Sequence, residues 1–392
     1  MARGVRVWLK RGLWAGLAAT GLFAAVAIVD GWAAFGTSPT GAALARVEAS
    51  PQFHDGVFVN PQPLYNDFVG SITGLLGAPE FTAPADPVPV VATDPTQFAT
   101  PPAEGLRVTW LGHSTVLIEI DGALILTDPV FGPRSSPLTW LGPKRWYPPP
   151  LALTDVPPVD AVVLSHDHYD HLDYPSIVAM KEWKTTFIAP LGVGAHLRYW
   201  GVPAERVLEV DWWDETVVST AAGGELRVVA TPARHASGRH LFDQDETLWA
   251  GFALIGDTHR VFFSGDTGLF PAMREIGTRW GPFDVAMVEV GAYDQNWPDW
   301  HIGPEQAITA HQWLRGRLFI PIHWGLFDLA AHNWTEPIER VTRAADGAGV
   351  EIQTPLPGQS VVPGVTAAIE PWWPAVAWRT AEEYPIRSTR ID

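Results

Sequence analysis

The sequence predicts an α/β fold in which sheets are covered by helices, and three observations predict it. Short apolar runs rich in β-branched and aromatic residues recur from Arg107 onward. Several of them are unbroken rather than alternating, as expected of strands buried on both faces. Stretches with helical character, opened by proline, lie between some of the runs.

The elements follow in chain order. Arg3, Arg6, Lys10 and Arg11 precede an uncharged apolar stretch, residues 13–29. As a helix that stretch reaches roughly 26 Å, near the lower limit for crossing a bilayer. The basic flank sets its orientation by the positive-inside rule and places everything after Asp30 outside the cytoplasm. Residues 1–33 are therefore expected to be a membrane anchor, with the folded part periplasmic. The alternative is a signal cleaved near Gly31-Trp32-Ala33, giving a secreted or periplasmic product, although the apolar stretch exceeds the usual signal core. Residues 34–104 are irregular. Their segment "PEFTAPADPVPVVATDPTQFATPP" is studded with proline, which removes amide donors, and it reads as an extended strap or linker. The ordered domain is expected over residues 105–362, and residues 363–392 form a Trp-rich tail with no assignable motif.

Within the domain, "RVTWLGHSTVLIEI" and "ALILTDPVF" flank Asp121-Gly122, a two-residue hairpin turn. The runs "DAVVLSH", "TTFIAP", "ELRVVATPARH", "HRVFFSGD", "FDVAMVEVG" and "LFIPIH" supply further strands. A helix starts at Pro175 in "YPSIVAMKEW", and another at Pro304 in "GPEQAITAHQWL", with Glu305 in its first turn.

Composition narrows the chemistry. The 392 residues carry a formal charge of −17, which argues against nucleic acid as a partner. There is no cysteine. Disulfides, thiolate–zinc sites and a cysteine nucleophile are thereby excluded, leaving His, Asp and Glu as the strong ligands.

Those ligand types collect where the runs end. "VVL" leads to Ser165-His166, "LRVVATPA" to Arg234-His235, "VFFSG" to Asp266 and "LFIPI" to His323. The carboxyl ends of strands are where α/β sheets place their sites. A single histidine there is more often structural than a ligand. Four such endings, the first of them the cluster His166, His168, Asp170, His171, reverse that expectation. In extended chain His166 and His168 project to one side, because the side-chain period is two. Asp170 and His171 follow a turn and suit a second ion. Two ions about 3.5–4 Å apart clamp both oxygens of a displacement. Imidazole and carboxylate ligands without thiolate suit two zinc ions, with iron or manganese possible.

"HDHYDH" resembles the H-x-H-x-D-H motif of the metallo-β-lactamase superfamily, and Asp128 in "LTDP", His235, Asp266 in "SGDTG" and His323 in "PIHWG" follow in that family's order. The resemblance implies a four-layer αβ/βα sandwich. It implies His166, His168 and His235 on one metal, Asp170, His171 and His323 on the second, Asp266 bridging, and Asp128 orienting the cluster. "WLGHSTVLIEIDG", "LGPKRW", "SGDTGLFPAMREIG" and "HIGPEQAITAH" are similar to the phospholipase D branch that hydrolyses N-acyl-phosphatidylethanolamine. The likeness covers roughly residues 105–357 and excludes the anchor, the strap and the Trp-rich tail. It implies phosphodiester cleavage to phosphatidic acid and N-acylethanolamine, with Asp170, Asp266 and His301 in catalytic roles. For His301 a helix-flanking structural role weighs equally.

Other histidines read as bland: His113 as a structural early-strand residue under the site, His311 and His332 as surface or packing residues. Trp140, Trp146 and Tyr147 beside Lys144 and Arg145 either face a membrane or pack into the sandwich. Three function classes stand: a phosphodiesterase on a phospholipid, a lactone or carboxylic ester hydrolase on the same metals, and a non-catalytic membrane-associated binding protein. The complete ligand set disfavours the last.

Overall fold

The structure, a computed structural model, describes residues 2–67, 69–71, 74 and 77–391. Helix α1 (Ala2–Gly31) comes first, then α2 (Gly41–Glu48) and a hairpin of β1 (Phe53–His54) and β2 (Val57–Phe58). Two seven-stranded sheets follow.

The first sheet contains β3 (Leu106–Gly112), β4 (Thr115–Ile120), β5 (Ala123–Thr127), β6 (Ala161–Val163), β7 (Thr186–Pro190) and β8 (Val207–Val210) in that spatial order. The second contains β9 (Glu215–Ser219), β10 (Glu225–Thr231), β11 (Gly251–Ile255), β12 (Arg260–Phe263), β13 (Phe283–Glu289), β14 (Gly316–Ile322) and β15 (Glu351–Ile352). A short β16 (Ser360–Val361) closes the first sheet against β3. Each sheet starts antiparallel and becomes parallel, at β5–β6 in the first and at β12–β13 in the second. The parallel strands point their carboxyl ends at one place, where the ligand-type residues lie.

The unbroken runs are buried on both faces. In β4, Val116 and Ile118 face the cluster between the sheets, while Leu117 joins the cluster beneath the helices. In β6, Ala161 and Val163 split from Val162 in the same way. Helices α3 (Tyr174–Met180) and α4 (Val193–Tyr199) cover the first sheet through Ile177, Met180, Val193 and Leu197. On the second sheet lie α5 (Ala272–Arg279), α6 (Pro304–Leu314) and α7 (Glu336–Ala348), through Ile276, Leu314 and Ile338. The result is a four-layer αβ/βα sandwich. Each fully buried Val, Leu, Ile or Phe contributes about 1.5–3 kcal/mol, so both strand faces are held.

The two helix starts stand at Pro175 and Pro304 as expected, and Asp173 caps α3 by accepting Ser176 N. Asp121-Gly122 forms the β4–β5 turn, both residues having positive φ (48° and 87°), and Ile120 pairs with Ala123. One difference stands in "RVTWLGHSTVLIEI". It is not one strand but the β3–β4 hairpin, which reverses at Gly112-His113, where both φ angles are positive.

Residues 34–104 lie along the domain rather than away from it. Val47 and Phe58 enter the main core, and Val88 joins a smaller cluster with Val130, Tyr147 and Phe327. Val91 N donates to Pro357 O and Thr93 N to Pro150 O. The tail packs too: Trp372 stacks on Trp324, which stacks on Trp110. Of the aromatic loop, Tyr147 is buried, Trp146 packs on Trp334, and Arg145 donates to the carbonyls of Tyr147 and Gly132. Trp140, Leu141 and Lys144 stand exposed.

The stretch Arg11–Gly31 of α1 is long and apolar enough to cross a membrane, and an 18-residue apolar window within it is not buried by the rest of the protein. Such a helix at an N-terminus has the properties of an anchor or of a signal sequence.

Candidate metal centre

Seven side chains singled out from the sequence meet at the carboxyl ends of β6, β12 and β14 and in the loop after β10. His166 Nε2 lies 2.9 Å from His168 Nδ1, which lies 3.2 Å from His235 Nε2. Asp266 Oδ2 sits 3.8 Å from His166 Nε2 and 3.7 Å from His235 Nε2. The same oxygen is 3.1 Å from both His171 Nε2 and His323 Nε2. Asp170 Oδ2 completes the second group, 3.5 Å from His171 Nε2 and 3.2 Å from His323 Nε2. Two sets of ligand atoms thus share one carboxylate.

The backbone explains the convergence. His323 follows β14 directly with φ of 61°, which turns its ring back toward the first sheet. Gly265, just before Asp266, also has positive φ (55°), and a Cβ there would come within 2.5 Å of Ser165 Cβ. Only glycine lets the two sheet ends approach so closely.

The far ring nitrogens are fixed. His171 Nδ1 donates to Asp128 Oδ2 at 2.7 Å, His235 Nδ1 to Trp300 O at 2.8 Å, and His166 Nδ1 to Ser165 Oγ at 2.9 Å. Ser165 in turn donates its N and Oγ to Asp128. Each imidazole is left with its Nε2 lone pair aimed inward, as metal-ligating histidines require. Asp128 makes these bonds from a position with no solvent exposure.

Electrostatics point to a missing positive charge. Burial, then His171 and His168, hold His166 well below its usual range. Burial opposes charge on His171 as well, yet Asp266, Asp170 and Asp128 raise it well above. His323 is likewise pushed up to about 10 against burial, chiefly by Asp266. Two imidazoles therefore take protons beside Asp170 and Asp266, whose carboxyls those histidines hold far down against burial. His171 Nε2, which faces both carboxylates, is buried without a hydrogen-bond partner. Orphaned, inward-facing donors of this type fit divalent cations.

Two further residues touch the centre. His113, under the site as expected, also binds it: its Nε2 is 3.0 Å from Asp170 Oδ2, and burial followed by His323 lowers it to about 3. As a neutral ring it donates to Asp170 and orients that carboxylate. Glu289, at the end of β13, was not singled out by the sequence. It accepts Thr267 N and lies 2.7 Å from His301 Nδ1. Burial and the neighbouring Asp266 raise its carboxyl well above the ordinary value. The available signal was a carboxylate closing the apolar run "FDVAMVE". His301 sits beside the second group, its Nδ1 3.9 Å from Asp266 Oδ2, and burial lowers it to about 4. His311 packs on Phe319 and His332 stacks on Tyr293, away from the ligand sets.

An open cleft of about 370 Å³ reaches the centre. His168, Asp170, Asp266, His301 and His323 form its floor, and Ala292, Trp297, Trp300 and Leu329 wall it with apolar surface.

Converging imidazoles and ionised carboxylates, on a scaffold without thiols, are the equipment of a metal-dependent hydrolase. The description "Beta-lactamase superfamily domain" matches residues 124–324, and the chain belongs to the β-lactamase superfamily. It is 44% identical over 336 residues, 83% of this chain and 88% of the other, to an uncharacterised protein of Mycobacterium tuberculosis. It is 37% identical over 251 residues to N-acyl-phosphatidylethanolamine-hydrolyzing phospholipase D 1 of Caenorhabditis elegans, covering 62% of this chain and 70% of that one. Among solved structures, the metallo hydrolase Igni18 from Ignicoccus hospitalis superposes with a TM-score of 0.51 at 24% identity, over 65% of this chain and 97% of that one. That likeness concerns the fold.

Proposed function

We propose that this hydrolase is a two-zinc phosphodiesterase that cleaves N-acyl-phosphatidylethanolamine-type phospholipids to phosphatidic acid and N-acylethanolamine. The observation that carries the proposal is that Asp266 Oδ2 lies within 3.8 Å of His166 and His235 Nε2 and 3.1 Å from His171 and His323 Nε2, between two ligand sets at the floor of an apolar-walled cleft. The activity named for the Caenorhabditis elegans relative supports the substrate class.

His166, His168 and His235 would hold one ion and Asp170, His171 and His323 the other, with Asp266 between them. Bound there, divalent cations supply charge neutralisation and an acidified water for attack on phosphorus. The chain's own residues do the rest. His113 holds Asp170 in place, and Asp128 holds His171 in the tautomer with a free Nε2. Glu289 engages His301 Nδ1, leaving Nε2 of that ring to meet a phosphoryl or leaving-group oxygen. Trp297, Trp300 and Leu329 exclude water and offer apolar surface to acyl chains.

We further propose that α1 stays in the mature chain as a membrane anchor with the domain on the periplasmic side. Its exit is built into the domain: Ala33 O accepts Trp200 Nε1 at 2.7 Å and Ala34 O accepts Arg239 Nε at 2.8 Å. Residues 105–362 would then be the catalytic unit, with 34–104 and 363–392 packed on it.

The test joins metal analysis of the purified chain to a substrate panel. Two zinc ions per chain, at most one in His171→Ala, and release of phosphatidic acid from an N-acylated phospholipid are expected. Ring-opened acid from lactones with no phosphatidic acid would transfer the site to ester chemistry. Carbonate washing and N-terminal sequencing test the anchor, and a soluble product starting near Ala34 would replace it with a cleaved signal.

A further inference from the structure

Two exposed apolar loops flank the point where α1 leaves the domain. In the first, Leu138 lies against Gly31, and Thr139 donates from N and Oγ1 to the Asp30 carboxylate at 2.7 and 3.0 Å. The next residue, Trp140, meets Phe23 of α1 edge-on at 5.4 Å between ring centroids. Phe23 is eight residues before the end of α1, about 12 Å along the helix axis at 1.5 Å per residue. The loop therefore climbs beside the apolar stretch itself. Trp140 and Leu141 remain 41% and 50% exposed, with Lys144 exposed behind them.

The second loop meets the chain just after the exit. Phe35 contacts the His240 ring, which contacts Phe242. Leu241 and Phe242 are 86% and 87% exposed, more than any other large apolar side chain among the described residues. They are not there by looseness. The Asp243 carboxylate accepts the amides of Arg239 and His240, and Gln244 Nε2 donates to His240 O. This braced turn holds two adjacent apolar side chains outward.

The segment between the two loops is fixed as well. Thr37 N donates to His196 Nδ1 at 3.0 Å, and Gly36, at φ of 75°, passes so near that a Cβ would fall 2.1 Å from that nitrogen. Arg239 joins Ala34 O to the carbonyls of Asp167 and Leu172, on either side of the metal-binding loop, and its guanidinium lies over Tyr169 and Trp200. Tyr169, between His168 and Asp170, donates its hydroxyl to Arg239 O. The helix exit, the braced loop and the metal-binding loop are thus joined by one network of hydrogen bonds and ring contacts.

We infer that the loops bearing Trp140–Leu141 and Leu241–Phe242 insert into the leaflet that α1 enters, docking the catalytic domain on the phospholipid surface in one fixed orientation. The inference rests on the anchor reading, because α1 sets the level of the bilayer relative to both loops. Two aromatic residues, two leucines and a lysine beside the end of α1 match the interface between headgroups and acyl chains. The occupant is therefore the bilayer that holds α1, not a separate partner.

The chain lacks cysteine, so single-cysteine labels report unambiguously. Full-length protein would be reconstituted in phosphatidylcholine–phosphatidylglycerol vesicles with a nitroxide at Phe242→Cys, Trp140→Cys, Val26→Cys or Val217→Cys. Val217 is an exposed position on β9 and reports bulk water. Oxygen and chromium oxalate would serve as the apolar and aqueous relaxants. The expected result is a several-fold loss of chromium oxalate access at 242 and 140 relative to 217, with 26 fully shielded. Shielding at 26 with free aqueous access at 242 and 140 overturns this inference and leaves the anchor standing. Aqueous access at 26 overturns the anchor and this inference together. Shielding at 242 accompanied by dipolar broadening between labels, persisting in detergent, would assign the loop to a second copy and also overturn it.

Discussion

Replacing Asp128 by Asn tests a residue that lies beneath the cleft and yet governs one nitrogen in it. The Asp128 carboxylate accepts Ser165 N at 2.7 Å, Ser165 Oγ at 2.6 Å and His171 Nδ1 at 2.7 Å. An asparagine keeps the first of these on its carbonyl and turns an amide toward the other two. His171 Nδ1 can then only accept, and its proton moves to Nε2. That nitrogen faces Asp266 Oδ2 at 3.1 Å and Asp170 Oδ2 at 3.5 Å. Protonated, it has no lone pair for a cation. Substitutions behind a metal ligand cost ~10–100-fold in affinity, or about 1.4–2.7 kcal/mol, and a reversed tautomer belongs at the upper end. The backbone is not at issue, because Asp128 has φ of 33° and asparagine tolerates positive φ at least as well. The assay is zinc titration of metal-free protein against a chromophoric chelator. One site of two should weaken while the His166–His168–His235 site stays tight. Two tight sites in the variant would refute control of the tautomer by Asp128. Loss of both sites with the near-ultraviolet tryptophan signal would place the residue in folding instead.

Glu289→Gln should lower kcat while leaving metal stoichiometry and melting temperature unchanged, since burial already favours its neutral form; metal loss in the variant would make it a ligand. Asp266→Asn, by contrast, should lose metal outright on elemental analysis, because its Oδ2 faces both ligand sets. Arg234→Met leaves Asp299 buried without its 2.8 Å partner and should cost ~3–5 kcal/mol in denaturant unfolding; a loss under about 1 kcal/mol, the worth of an exposed pair, would contradict that. Asp245 is raised by burial from 3.8 to about 6, so its charged form is disfavoured in the fold, and native stability falls as pH rises from about 4 through about 6. Asp245→Asn should therefore stabilise by ~1–3 kcal/mol at pH 8 and do nothing below pH ~4. Its φ of 58° suits asparagine, and a pH-independent gain would trace the effect to backbone alone.

What could be read from sequence was local. Runs such as "DAVVL" and "LFIPI" announce strands buried on two faces, and "HDHYDH" packs five metal-competent groups into six positions. Contacts between distant segments left weaker traces. The β3–β4 turn was hidden because apolar residues on both sides of His113 read as one run. Strand β11 was passed over between "ARHASGRHLFDQDE" and "HRVFF", and β9 is half exposed. Glu289 stood inside a run that looked wholly structural. The strap's prolines suggest a detached linker, and the structure reverses that expectation.

Proline removes a backbone donor but leaves its carbonyl, so a proline-rich segment carries surplus acceptors rather than a lack of attachment. Burying such a segment requires donors from elsewhere, and arginine offers five on one side chain. Arg234 is used this way. Its guanidinium takes Pro63 O from the strap and Thr389 O from the tail while pairing with Asp299. Asp299 also accepts Tyr65 N and Thr389 N. Asn60 adds a reciprocal pair with the backbone of His235, Nδ2 to O and Oδ1 from N. The loops that carry His235 and His301 have no strand or helix of their own, so their backbone groups must be met by distant partners. Strap and tail supply those partners beside the ligands. The segments outside the sandwich are thus the clasp that holds His235 and His301 against its sheet ends, which no composition rule applied to the strap alone would show.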